Sequence, residues 1–165
     1  MERVVSRIIS SKFVATRVNT KTTSTKRYSK HKDFNLNLKD LIDIKKSTIP
    51  KAGKGAFAKT RIGCGTRIGE YNGRLHDYAS YENLNDKLYV FEVAKKHKDR
   101  YHLFFIDAKK EGGYLRYVNG AMTSAQRKKI NVEAYQYGER IFFRANKNIK
   151  PGQEILIDYG DNYWP

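Results

Sequence analysis

Apolar and polar residues alternate in short stretches along most of the chain and rarely sustain a helical period. Arg67–Tyr71, Leu88–Val93, Tyr101–Asp107 and Glu154–Tyr159 read as strands, the last with Ile155 and Ile157 on one face. Leu41–Ile44 is a shorter strand candidate. Val132–Tyr137 and Ile141–Ala145 read as a hairpin turning at Gly138-Glu139, while Asn72-Gly73 and Pro151-Gly152 are turn signals. Residues 74–87 are polar with room for one short helix. Lys95–Arg100 reads as a basic connection, and a polar loop follows Gly112–Gly120 as far as Lys129. No internal repeat is present. Closely spaced short strands with little helix predict a mainly-β body.

The N-terminal segment follows another pattern. Residues 1–32 carry nine Lys/Arg and one acid, Glu2, which is half of the formal net charge of +16. Val5, Ile9 and Phe13 are spaced to share one side of a short basic amphipathic helix, and a Ser/Thr-rich stretch follows. Three readings stay open: a tail that grips nucleic-acid phosphates, an organellar transit peptide, or a segment that packs on the body. We divide the chain into a basic Ser/Thr-rich tail, 1–37, and one domain, 38–165.

With 165 residues, 39% of them hydrophobic, the chain can build a sizeable core. The excess of 33 Lys+Arg over 17 Asp+Glu favours polyanionic or acidic partners. The single Cys64 excludes an intramolecular disulfide and a multi-cysteine zinc site, and no metal is expected. No apolar run approaches the roughly 20 residues of a membrane-spanning helix, so no membrane partner is expected.

Two stretches suggest chemistry. Gly53 and Gly55 flank Lys54, with Phe57 close behind, and a glycine pair lets backbone approach a ligand. The pair lacks the third glycine of a dinucleotide fingerprint and the Gly-Lys-Ser/Thr of a phosphate loop, and alone it reads more readily as a turn between strands. At the other end, Tyr159, Tyr163 and Trp164 crowd beside Asp158 and Asp161. Those rings either plug a core or line a pocket at a strand end.

The order of the pieces adds more. GKGAFA, EYNGRL, LYVF, FIDA, LRYVNG, INV and PGQEILIDYGDNYW together resemble the SET-domain protein lysine methyltransferases over about residues 40–164. LRYVNG with INVEAYQYGERIFFRA is most similar to the PR-domain branch, and the ending is similar to minimal SET proteins of large DNA viruses. The resemblance implies a β-clip-like fold of several small curved sheets, in which the C-terminal segment threads beneath the loop bearing the Asn motif as a pseudoknot. It implies S-adenosyl-L-methionine as methyl donor, S-adenosyl-L-homocysteine as product, and a lysine in a histone tail or another protein as acceptor. It further implies a nuclear or chromatin location (the host nucleus for a viral protein), with organellar import left open by the tail.

Carried over by position, Lys54, Gly55, Ala56 and Phe57 match the Gly-x-Gly turn at the methionine end of the cofactor. Asn119 and Gly120 match the Asn-His pair at its amine and adenine, with Gly in place of His. Asn131 matches a second Asn, which ties the pseudoknot. Trp164 matches an aromatic that packs on adenine, and core packing is an equal reading of it. Tyr159 matches the catalytic phenol. Tyr71 and Tyr137 match aromatic walls of the lysine channel, with Tyr135 an alternative to Tyr137, and Tyr89 and Tyr163 match further wall positions. Ile157, where the family often has a ring, predicts addition of more than one methyl. Glu70, Asp77, Glu82, Glu92, Asp158 and Asp161 are candidates for an acidic groove that takes a basic peptide, and the tail is the candidate DNA or nucleosome contact. Two rivals remain: a catalytically silent SET-fold chromatin or nucleic-acid binding module, and a small basic β-rich nucleic-acid binder with stacking aromatics.

Overall fold

The computed structural model describes residues 37–160. Asn37 accepts a hydrogen bond from the Lys39 amide and caps the single turn α1, Leu38–Leu41. The chain then enters β1, Ile42–Lys46, which pairs antiparallel with β2, Lys54–Ala58, from Ile42 opposite Ala58 to Lys46 opposite Lys54. Only Lys54 of β2 is exposed. The reason is that the strand is covered along its second edge as well. Ala58 donates to the Gln153 carbonyl and Ile155 donates to the Ala56 carbonyl, so the C-terminal segment acts as a third partner.

Two further sheets complete the body. A three-stranded sheet has the order β4-β6-β5, formed by Arg74–His76, Arg100–Asp107 and Val90–His97. The expected basic connection at Lys95–Arg100 is mostly strand: β5 and β6 stay in register to His97 and Arg100 and turn at Lys98, φ +53°. The Lys95 ammonium is accommodated there, 4.8 Å over the Phe104 ring and paired with Glu139. The expected helix within 74–87 is α2, Tyr78–Glu82, capped by Asp77, whose carboxyl is held below its usual pKa by the Ser80 hydrogen bonds. Strand β4 precedes it. Gly73 makes the corner, where a Cβ would stand 2.4 Å from the Asp107 carbonyl oxygen.

The five-stranded sheet has the order β3-β9-β8-β10-β7, comprising Arg67–Glu70, Arg140–Ala145, Val132–Tyr137, Leu156–Ile157 and Asn119–Gly120. The hairpin β8–β9 turns at Gly138, φ +60°, as its sequence indicates. Strand β10 runs parallel to both neighbours. Those neighbours, β7 and β8, are joined by residues 121–131, so the C-terminal strand threads beneath that connection. The expected polar loop there includes α3, Ser124–Arg127, which Thr123 and Gln126 cap reciprocally. Threading also corrects the reading of Glu154–Tyr159. Ile155 and Ile157 are buried as expected, but Glu154 and Leu156 are buried too, because the segment is covered on both faces.

Asn131 fastens the thread. Its amide nitrogen donates to the Glu154 carbonyl at 2.9 Å, and its amide oxygen accepts from the Leu156 N–H at 3.0 Å, both buried. Asn131→Ala leaves two buried backbone groups without partners and is expected to cost about 2–4 kcal/mol. Urea unfolding checks this, and a loss under about 0.5 kcal/mol would show that the thread does not need the amide.

Candidate active site

Three separated stretches meet at the threaded strand. The Asn119 amide nitrogen donates to the Lys54 carbonyl at 3.0 Å and to a Glu154 carboxylate oxygen at 3.2 Å. One side chain therefore joins the glycine turn, the Asn motif and the C-terminal segment. With its nitrogen so engaged, the Asn119 amide oxygen is turned away from both partners. Gly55 has to be glycine here, since a Cβ would lie 2.2 Å from the Glu154 carboxylate and 3.2 Å from the Asn119 nitrogen. Gly53, at φ +71°, has open space where a Cβ would be. Ala56, Phe57 and Gly120 are buried beside this junction.

Glu154 is the residue that sequence reasoning missed. It is 8% exposed, and its carboxylate accepts from the Ser47 hydroxyl, the Thr48 hydroxyl and the Thr48 amide as well as from Asn119. A lone acid ahead of Ile155-Leu156-Ile157 was the available signal. Its partners Ser47 and Thr48, more than a hundred residues upstream, were not legible.

Tyr159 is half-buried against the core and donates its phenolic proton to the Val118 carbonyl at 2.8 Å, one residue before Asn119. An aromatic series leads to it. Phe143 stacks on Tyr71 at 5.7 Å, Tyr71 meets Phe91 at 4.5 Å, and Phe91 meets Tyr159 at 5.7 Å. Tyr71 is 1% exposed and donates to the Tyr89 carbonyl at 2.9 Å, so it supports the Phe91–Tyr159 contact from inside the core. Tyr89 is partly buried, with the Arg116 guanidinium 5.0 Å from its ring. Ile157 is 2% exposed in the same core.

Tyr137 stands differently from the wall position expected of it. It ends β8 beside the hairpin turn, is 66% exposed, and has the Arg67 guanidinium 5.6 Å from its ring. Its neighbour two residues back, Tyr135, is less exposed but is taken up by the Arg67 side chain, which donates to its hydroxyl at 2.7 Å. Neither ring lines an enclosed channel among the described residues. Tyr163, Trp164 and Asp161 lie outside the described residues.

Most of the acids expected to form a peptide groove have other tasks. Glu70 pairs with Arg140, Glu82 with Lys87, Asp77 caps α2, and Asp158 accepts from the Gly160 amide. Glu92 on β5 is the exception, and burial raises its carboxyl pKa above the usual 4.5. A raised folded-state value means that its contribution to stability is fully present below the unfolded pKa and is lost as pH rises through the folded one. Glu92→Gln is therefore expected to raise the melting temperature modestly at pH 7–8 and to leave it unchanged near pH 4. Melts at the two pH values check this, and equal shifts at both would contradict it. Among the described residues, no group of three His, Cys, Asp or Glu is placed to hold a metal ion.

The described site offers a fixed phenol, an oriented amide and an exposed glycine turn. Such groups can orient and polarise a bound ligand, and none of them is a strong base at neutral pH.

Comparison with known proteins finds related sequences and folds. The family model for the PR domain of PR domain zinc finger protein 2 matches residues 42–165. Histone-lysine N-methyltransferase PRDM7 of Homo sapiens is 30% identical over 129 residues, covering 78% of this chain and 25% of that protein. Histone-lysine N-methyltransferase set-17 of Caenorhabditis elegans is 29% identical over 123 residues, covering 74% of this chain and 42% of that protein. The chain thus spans well under half the length of these relatives. The methyltransferase domain of human PR domain-containing protein 2 shares the fold at a TM-score of 0.60 and 22% identity, covering 86% of this chain and 90% of that one. ATXR5 in complex with histone H3.1 matches at a TM-score of 0.62 and 24% identity, covering 73% and 57%. In sequence, threaded topology and fold, this chain belongs to the PR-domain family of SET-like proteins, among whose members are histone-lysine methyltransferases.

Proposed function

We propose that the chain is an S-adenosylmethionine-dependent protein-lysine N-methyltransferase that acts on a histone lysine. The observation that carries this reading is the convergence of Tyr159, through the Val118 carbonyl, with Asn119 and the Gly53–Gly55 turn. The cofactor fits the residues present. The Asn119 amide oxygen, turned away from Lys54 and Glu154, suits an ammonium group, and the backbone around Gly53 is open. Gly120 contributes backbone alone on the adenine side, where relatives of the SET type carry His. When bound, S-adenosylmethionine supplies an electrophilic methyl group on a sulfonium.

The residues of this chain supply position. A free lysine has a pKa of about 10.4, so neutralising it at pH 7.4 costs about 4 kcal/mol. Holding two reactants in attack geometry supplies roughly 7–11 kcal/mol. Positioning outweighs deprotonation, which suits a site of rings and amides. Phe91 and Tyr71 fix the Tyr159 ring, and the hydrogen bond to Val118 fixes its hydroxyl. The phenol oxygen then acts as an acceptor that orients the amine and stabilises charge developing at the methyl group. Aromatic faces favour the entering ammonium ion. Ile157, smaller than a ring, supports addition of more than one methyl. Family membership supports a histone acceptor and action at chromatin, and the basic composition supports nucleosomal DNA as a contact of residues 1–37.

Labelled methyl transfer to intact nucleosomes, with mass spectrometry of the product, tests the proposal. One specific observation favours the silent-module reading, namely Gly120 in place of His together with the exposed Tyr137. That reading predicts neither cofactor binding nor transfer.

A further inference from the structure

A second concave surface lies beside the threaded segment. A cavity of about 460 Å³ opens between the 121–131 connection and the turn that precedes β10. It is lined by Lys128, Lys129 and Lys147, with Thr48, Asn148 and Gln153 adding hydroxyl and amide groups. The Lys147 ammonium donates to the Lys128 main-chain carbonyl at 3.1 Å, which fixes that cation at the mouth. Among the described residues, none of the three ammonium groups has a carboxylate partner within ion-pair distance. The one acid in the lining, Glu154, accepts from Ser47, Thr48 and Asn119 and makes no ion pair with the lysines, so three ammonium groups against one carboxylate leave the lining at +2. Nearby on the chain, Glu133 is paired with Arg144 and Glu139 with Lys95.

We propose that this cavity binds the phosphate backbone of a nucleic acid. Concavity, an excess of lysines and neutral donors are what repeated phosphates recognise. An anionic peptide would meet no apolar anchor beyond Phe57 and Leu156, whereas a phosphate backbone needs none. The three lysines belong to the folded body and not to residues 1–37.

The test measures fluorescence anisotropy of a labelled 20-base-pair DNA duplex with the full chain across a range of salt. Lys128→Ala, Lys129→Ala and Lys147→Ala together are expected to weaken binding about 10-fold or more at roughly 0.15 M salt. They should also lower the slope of log affinity against log salt by about 2–3. The same three changes to Arg are expected to keep affinity within about 2-fold, and melting curves confirm folding. A control triple at Lys96, Lys98 and Arg100, on the β5–β6 turn, removes equal charge. Equal losses in the cavity and control triples would overturn the proposal, as would no loss in the cavity triple. Inorganic tripolyphosphate that displaces the duplex at micromolar concentration would assign the cavity to free polyphosphate and overturn it as well.

Discussion

Tyr159→Phe is expected to lower methyl transfer by about 10²–10³-fold while cofactor affinity changes less than about 3-fold. The change removes one oxygen and keeps the ring. The Phe91 contact at 5.7 Å is therefore retained, and the residues at the glycine turn and Asn119 are untouched. What is lost is the hydroxyl that the Val118 carbonyl holds in place. That carbonyl also loses its donor, which adds about 1 kcal/mol of destabilisation and a fall in melting temperature of roughly 2–4 °C. Single-turnover transfer and titration calorimetry with cofactor separate the two effects. Parallel losses of rate and cofactor affinity would mean that the phenol holds the cofactor and is not there for the reaction.

Glu154→Ala is expected to produce the largest loss of stability, about 3–5 kcal/mol. Four donors converge on this carboxylate, two on each oxygen, and hydrogen bonds to a charged group contribute about 1.5–3 kcal/mol each without being additive. Glu154→Gln is expected to cost about half as much. A hydroxyl can rotate to accept from the new amide nitrogen, but each carboxylate oxygen also receives an N–H that cannot, from Thr48 on one side and Asn119 on the other. Either orientation of the amide leaves one such conflict. The alanine variant releases Asn119 from one of its two acceptors and the Gln variant does so in one orientation of its amide, so cofactor affinity should fall with stability, most in the alanine variant. Denaturant unfolding with and without cofactor checks this. A Gln variant as stable as the parent would show that the network does not depend on the charge.

Much of the fold was legible because local signals agreed with the global one. The β8–β9 hairpin is marked by Gly138, the β5–β6 strands by dense β-branched and aromatic residues, and the corner before β4 by Asn72-Gly73. Strand β4 itself was not legible, since Arg74-Leu75-His76 is short, polar and at a sheet edge, where side-chain pattern carries little information. The alternation in Glu154–Tyr159 misled for a different reason. Period two describes a strand with one dry face, and β10 is covered on both by a topology that depends on where β7 and β8 lie.

The site divides along the same line. Lys54, Gly55, Asn119 and Tyr159 stood out as motifs and the fold brings them together. Asn131 was expected to tie the pseudoknot, and its amide bonds do so. Glu154 lies inside the closing motif without standing out in it, because its importance comes from Ser47 and Thr48 in the β1–β2 connection. Tyr137 looked like a wall by position, yet its place at the end of β8 leaves it in solvent.

The most direct test is to incubate the full chain with radiolabelled S-adenosylmethionine and intact nucleosomes, beside Tyr159→Phe. The account predicts label on a histone lysine with the parent and its near-complete loss in the variant. Cofactor binding without label on any histone would contradict the histone acceptor, and absence of both binding and label would contradict the enzymatic reading itself.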